Sequence, residues 1–309
     1  MTAVGERGAE SRAAAQPQPA RRPWTRDRVE RSVLGVLRWV FIAFFLVVTL
    51  FPFYYMLLLS IRPIEDLILR PGSLDFGQFT VDTYREVLSP VSKGGQGFVR
   101  FLINSAIVAF ASMLVALAVS IPGAYAISRL SFFGHRRISA LFLAVYLFPA
   151  IVLAIPLYVL FTRVGLRGSL LGLILVYISQ TVPVAIYMLR NYFETVPESL
   201  EEAGLLDGLS RIGVIRRITI PLAAPSIMAT GLFVFMIAWN EFLFALLFLV
   251  DRRERWTVSL GLSQLSGSIE VPTTVLMAGS VVITVPIVVL FFLSERLLTE
   301  GLTAGGEKG

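Results

Sequence analysis

Glu202-Ala203-Gly204-Leu205-Leu206-Asp207-Gly208, followed by Ile218-Thr219-Ile220-Pro221-Leu222 and Pro225, separates two strongly apolar blocks at about residues 169–190 and 222–249. The blocks decide the fold. Each has the roughly 20 apolar residues needed to cross about 30 Å of hydrocarbon. The charged, glycine-punctuated stretch between them must then lie at a membrane surface, where a soluble partner can reach it.

Four further apolar runs repeat this length, giving six spans at about 37–61, 101–128, 138–161, 169–190, 222–249 and 275–297. The composition agrees. Of 309 residues, 56% are hydrophobic and only 16% charged, against roughly 25% charged in a soluble domain. Mean hydropathy is +0.76. The expected fold class is all-α, a polytopic membrane protein of six transmembrane helices. Pro52, Pro122, Pro149, Pro156, Pro183 and Pro286 fall inside the runs, where neighbouring helices can satisfy the carbonyls that proline frees.

Lys and Arg concentrate on alternate connections. Residues 1–36 are rich in Ala, Pro, Gln and Arg, and read as a disordered basic tail with no cleavable signal. The connection holding Arg129, Arg136 and Arg137 has no acid. These segments are expected inside, with both termini cytoplasmic. The same rule accounts for the net charge of +6 without nucleic acid. Residues 62–100 and 250–274 become the outer loops, the first with a short helix expected around Thr80–Leu88. Residues 37–298 are expected to form the six-span transmembrane domain, 194–221 its inner connecting segment and 299–309 a C-terminal tail. The chain has no cysteine, and its single histidine, His135, lies in a loop between Gly134 and Arg136. Neither a thiolate site nor a histidine metal site is therefore expected.

Within the inner segment, Pro197 suits a first helical turn. Glu198, Glu201 and Glu202 load that end in accord with the helix dipole. Leu200, Ala203 and Leu206 recur at helical spacing, and Asp207-Gly208 stops the helix. A second short helix is expected over Leu209–Ile218. In the fifth span lies Trp239-Asn240-Glu241-Phe242-Leu243-Phe244. Glu241 is the one Asp, Glu, Lys or Arg that lies away from the ends of the six spans. A mid-membrane charge costs about 2.5–3.5 kcal/mol on insertion scales, so Glu241 must meet a cavity, a partner or the interface. Asn104-Ser105, near the start of the second span, suits helix packing or contact with a substrate.

Taken together, these strings resemble the permease subunits of binding-protein-dependent ABC importers of the carbohydrate, MalG-like class. Glu202, Ala203, Asp207, Gly208 and the Ile-x-Ile-Pro-Leu run ending near Pro221 match that family's EAA segment. Gly204 stands where the family has a second alanine. Trp239-Asn240-Glu241-Phe242 resembles a fifth-span element of the same class, and Gly301-Leu302-Thr303-Ala304-Gly305 its C-terminal ending. The resemblance implies the type I ABC importer permease fold in a bacterial cell (inner or plasma) membrane. It implies a second, related permease, an ATPase dimer carrying ATP and Mg, and an extracytoplasmic binding protein delivering a di- or oligosaccharide. The coupling residues would be Glu202, Ala203, Gly204, Asp207, Gly208 and Pro221. The substrate path would involve Trp239, Asn240, Glu241, Phe244 and Asn104.

No phosphate-cradling G-x-x-x-x-G-K-[ST] string occurs, because Lys93 and Lys308 both lie outside such a context. Hydrolysis of ATP would belong to another chain. An ion-coupled secondary transporter is the alternative reading; it calls for several ionisable residues in the spans.

Overall fold

The computed structural model describes residues 24–70, 72, 78–132, 134, 141–142, 144, 149–268 and 271–306, with backbone alone for 24–29 and 296–306. Among these residues all regular structure is helical. The helices are α1 (Trp24–Ile61), α2 (Ile64–Leu69), α3 (Asp82–Leu88), α4 (Phe98–Arg129), α5 (Ala150–Arg163) and α6 (Leu170–Phe193). They continue as α7 (Glu198–Leu206), α8 (Arg211–Leu222), α9 (Ala224–Asn240), α10 (Leu243–Leu249), α11 (Val258–Ser266) and α12 (Thr273–Gly306).

Among the described residues four helices are long and apolar enough to cross a membrane: α1, α4, α6 and α12. They cover the first, second, fourth and sixth expected spans. The other two differ from expectation. Most of residues 138–148 lies outside the described residues, so the third span is represented by the 14-residue α5. The fifth span is not one helix. It bends by 78° between α8 and α9 and breaks again at Glu241-Phe242 before α10. The physical reasons are local. Pro221 and Pro225 lack the N–H groups that would continue the ladder, and Ile215–Thr219 loosens into a π turn. Tyr192 donates to the carbonyl of Leu222 at 3.1 Å, satisfying a group at the bend. The second short helix is accordingly Arg211–Leu222, longer than the expected Leu209–Ile218.

Helix also extends beyond the composition-based tails. α1 begins at Trp24, within the expected disordered tail, and α12 runs to Gly306. Residues 1–23, 135–140 (with His135) and 307–309 lie outside the described residues. The expected short helix of the 62–100 segment is α3.

The chain divides into two units, at Phe53. In the first, α1 exposes one apolar side chain after another, from Val33 to Phe53. In the second, α4 packs along α6 and α9, and α9 along α12. Phe98, Phe101, Val108, Leu173, Tyr177, Phe235, Trp239, Phe244 and Phe248 form the continuous buried core. Small residues bring the helices close: a methyl on Gly231 of α9 would stand 3.1 Å from Leu117 of α4. This packing sets two ends. Asn104, near the start of α4, meets the segment before α11, while Arg129, in its last turn, meets α7.

Candidate coupling site and the break in the fifth span

α7 starts after Pro197, whose φ of −60° class geometry (−61°, ψ 127°) leads the chain into the helix, and it carries Glu198 and Glu201 in the first turn. Its end is a Schellman motif. Leu209 N–H donates to Gly204 O at 3.0 Å and Gly208 N–H to Leu205 O at 3.1 Å. Gly208 has φ +87°, a left-handed conformation that a Cβ would strain. Asp207-Gly208 is thus a stop signal with a backbone cause.

The two faces of α7 differ in kind. Leu200, Glu202, Ala203, Leu205, Leu206 and Asp207 are exposed, Leu206 by 88%. Glu201 and Gly204 are buried. The apolar stripe Leu200–Ala203–Leu206 therefore points away from the chain's own core. Gly204 faces α8 so closely that a Cβ there would lie 2.5 Å from Ile218 Cδ1. The missing methyl is what lets the two short helices touch.

Glu201 is the centre of a buried polar cluster. Its Oε1 accepts from Arg129 Nε at 3.2 Å and from Thr219 Oγ1 at 3.1 Å; its Oε2 accepts from Tyr125 OH at 3.0 Å. Arg129, 7% exposed, also reaches Val196 O at 2.6 Å through Nη2 and Glu198 Oε1 at 3.7 Å through Nη1. One carboxylate thereby ties together α4, α7 and α8. The sequence reading makes Glu202 the coupling carboxylate and gives Glu201 only a helix-dipole role and Arg129 only a topological one; it assigns no role to Tyr125 or Thr219. The available signal was the i, i+3 stripe Glu198–Glu201–Gly204, which put an acid and a close-contact glycine on one face.

At the break in the fifth span, Glu241 adopts extended backbone (φ −65°, ψ 132°) and serves α10 as a cap. Its Oε1 accepts from Phe244 N–H at 2.9 Å and its Oε2 from Ala245 N–H at 3.2 Å, two donors that a helix start leaves orphaned. Tyr177 OH donates to Oε2 at 2.6 Å, and Ser259 Oγ to the Glu241 carbonyl at 2.6 Å. The carboxyl oxygens thus meet donors from a helix start and a phenol.

The remaining path candidates are dispersed. Trp239 is buried, donates Nε1–H to Ile283 O at 3.2 Å and stacks on Phe235. Phe244 is buried in the core. Asn240 is exposed and donates to Met236 O in its own helix at 2.9 Å. Asn104 donates to the carbonyls of Glu254 and Trp256 at 3.0 and 2.9 Å. Next to it, Ser105 Oγ accepts from Val258 N–H at 2.9 Å, capping α11. Pro221 is exposed beside the bend.

A second ionic cluster, also missed in the sequence, follows α1. Asp66 sits between Arg62, which is fully buried, and Arg70. Arg62 reaches Asp66 Oδ2 at 2.9 Å from Nε and 2.6 Å from Nη2, while Arg70 holds Oδ1. The Arg62 hydrogen bond, then that of Arg70, lowers the Asp66 pKa below its ordinary 3.8. Among the described residues no cluster of three or more His, Asp or Glu could hold a metal ion.

This architecture, long apolar helices with a short helix held across one end, has a counterpart among solved structures. A bacterial ABC transporter involved in import of the acidic polysaccharide alginate contains a chain of the same fold, with a TM-score of 0.71 over 86% of this chain and 97% of that one, at 20% identity. Family membership comes from sequence. Residues 120–302 match the binding-protein-dependent transport system inner membrane component family, and the chain belongs to it. It is 39% identical to the inner membrane ABC transporter permease protein YcjP of Escherichia coli over 87% of this chain and 94% of that protein. It is 35% identical to the trehalose/maltose transport system permease protein MalG of Thermococcus litoralis (92% and 99%). It is 34% identical to the trehalose transport system permease protein SugB of Mycobacterium tuberculosis (84% and 93%). The chain is thus a multi-pass permease subunit of the MalG-like class, not an enzyme.

Proposed function

We propose that this chain forms half of the translocation pathway of an ATP-driven importer for a di- or oligosaccharide. A second, related permease forms the other half. The sugar arrives on an extracytoplasmic binding protein that meets the loops 62–100 and 250–274. Two ATPase subunits, which hold ATP and Mg, dock from the cytoplasm, where both termini of this chain also lie.

The observation that carries this reading is the two-faced α7. An isolated apolar stripe (Leu200, Ala203, Leu206) is exposed on it, while its opposite face is locked by a buried carboxylate. A surface loop that merely joins two spans needs no such lock. In the proposed cycle, closure of the ATPase dimer pushes α7, and Glu202, Ala203, Asp207 and Gly208 take the load. The bend at Ala223 and the break at Glu241-Phe242 give the fifth span two joints at which to change shape. Asn240, exposed next to the break at Glu241-Phe242, is the best placed of the path candidates; Trp239, Glu241, Phe244 and Asn104 shape the wall behind it.

The sugar class is supported by the trehalose and maltose systems to which the relatives belong. The test is uptake into proteoliposomes holding the complete complex, with labelled trehalose or maltose on a matching binding protein. ATP enclosed with the ATPase side should drive accumulation, and a collapsed ion gradient should not abolish it. Uptake that follows the ion gradient and ignores ATP would return the secondary transporter.

A further inference from the structure

If α7 receives the push of an ATPase, something must pass it on, and this inference rests on that reading. We propose that Arg129 and Glu201 form a buried strut that makes α7, the last turn of α4 and the root of the fifth span move as one body. The pair are positioning residues; neither touches a partner or a sugar.

Three observations carry the strut. First, its connections join three elements: Glu201 ties α7 to Arg129 and Tyr125 of α4 and to Thr219 of α8. Second, Arg129 returns to the α6–α7 connection through Val196 O at 2.6 Å. The guanidinium fork thus holds both the start of α7 and the turn before it. Third, the groups are buried, with side chains 7% and 8% exposed. A buried ion pair with hydrogen bonds to further elements is directional and stiff, whereas apolar contacts can slide. The rest of the α7 interface is thin: Gly204 contributes no side chain, and Leu200 and Leu206 face away. Without the pair, a push on α7 would tilt it on a glycine contact and leave α4 behind.

The chain has no cysteine, so two can be placed at will. Nitroxides on Ser199→Cys in α7, off the Leu200–Ala203–Leu206 stripe, and Leu130→Cys at the end of α4, both exposed positions, report separation by dipolar line broadening. The samples are the full purified complex, without nucleotide and trapped with ATP and vanadate. The expected result is strong broadening in both states for the otherwise native chain. Arg129→Gln or Glu201→Gln should lose it, at least in the trapped state. Arg129→Lys should retain part of it, and the exchanged pair Arg129→Glu with Glu201→Arg should recover more than either single exchange. Equal broadening in the Gln variants and the native chain would overturn the strut. So would a separation that changes on trapping in the native chain itself. If no ATPase accompanies the native chain, the importer reading fails; the nucleotide-free spectra still judge the strut.

Discussion

The hydroxyl of Tyr177, on α6, donates to the carboxylate of Glu241 at 2.6 Å, 64 positions further along the chain. The same carboxylate caps α10 through Phe244 and Ala245 N–H. An isolated carboxylate in hydrocarbon would be neutralised or expelled. Here it is the reason the fifth span can be interrupted without leaving backbone donors unpaired.

Glu241→Gln should therefore be mild, because the amide oxygen still accepts one or two of these bonds. Glu241→Ala should destabilise the permease by roughly 2–4 kcal/mol, since a buried phenol and two helix N–H groups lose their acceptor at about 1–3 kcal/mol each before relaxation. Thermal unfolding of the complex in detergent checks both. A Gln variant as unstable as the Ala variant would show that charge, not capping, is what matters.

Gly208 is the stop of α7 at φ +87°. Any L side chain there adds about 1–2 kcal/mol of backbone strain and frays the Schellman turn. Gly208→Ala should weaken ATPase stimulation while the chain still inserts; Asn, which tolerates the left-handed region, should be closer to native. Substrate-stimulated ATP hydrolysis in the assembled complex is the readout, and equal rates for Gly, Ala and Asn would remove the turn from the coupling account.

Gly204 tests the contact between α7 and α8. Alanine would gain up to about 1 kcal/mol of helix propensity, yet its Cβ would fall 2.5 Å from Ile218 Cδ1. Gly204→Ala should lower the melting temperature slightly, and Ile218→Val, which removes that Cδ1, should restore it in the double variant. If the single variant is more stable than native, Ile218 swings aside freely and the helices are not tightly apposed.

Asp66 predicts a pH dependence. Its pKa in the folded chain lies below 3.8 because Arg62 and Arg70 hydrogen-bond its carboxylate. A depressed folded pKa contributes stability at and above the unfolded value, and that contribution disappears as pH falls through the folded value. Asp66→Asn should thus be less stable than native at pH 7, with the gap closing below about pH 4. A gap independent of pH would assign the loss to packing around the buried Arg62.

Much of this was legible in the residues. Apolar runs of spanning length and the Asp207-Gly208 stop need only local rules, because hydropathy and left-handed glycine are properties of short strings. Long-range polar pairing was not legible. Nothing near Glu201 names Arg129, 72 positions earlier, and Tyr177 looks like any aromatic in a span. The double interruption of the fifth span was hidden for a related reason: prolines in membrane helices usually kink without breaking, and the partners Glu241 takes beyond its own turn, Tyr177 of α6 and Ser259 of α11, are distant in sequence.

The most direct measurement is co-purification in mild detergent, comparing the native chain with Gly208→Asp and identifying the retained chains by mass spectrometry. The account predicts that the native chain brings down a second permease and an ATPase, and that Gly208→Asp keeps the permease but loses the ATPase. A native chain that retains neither, or a variant that retains the ATPase in full, would contradict it.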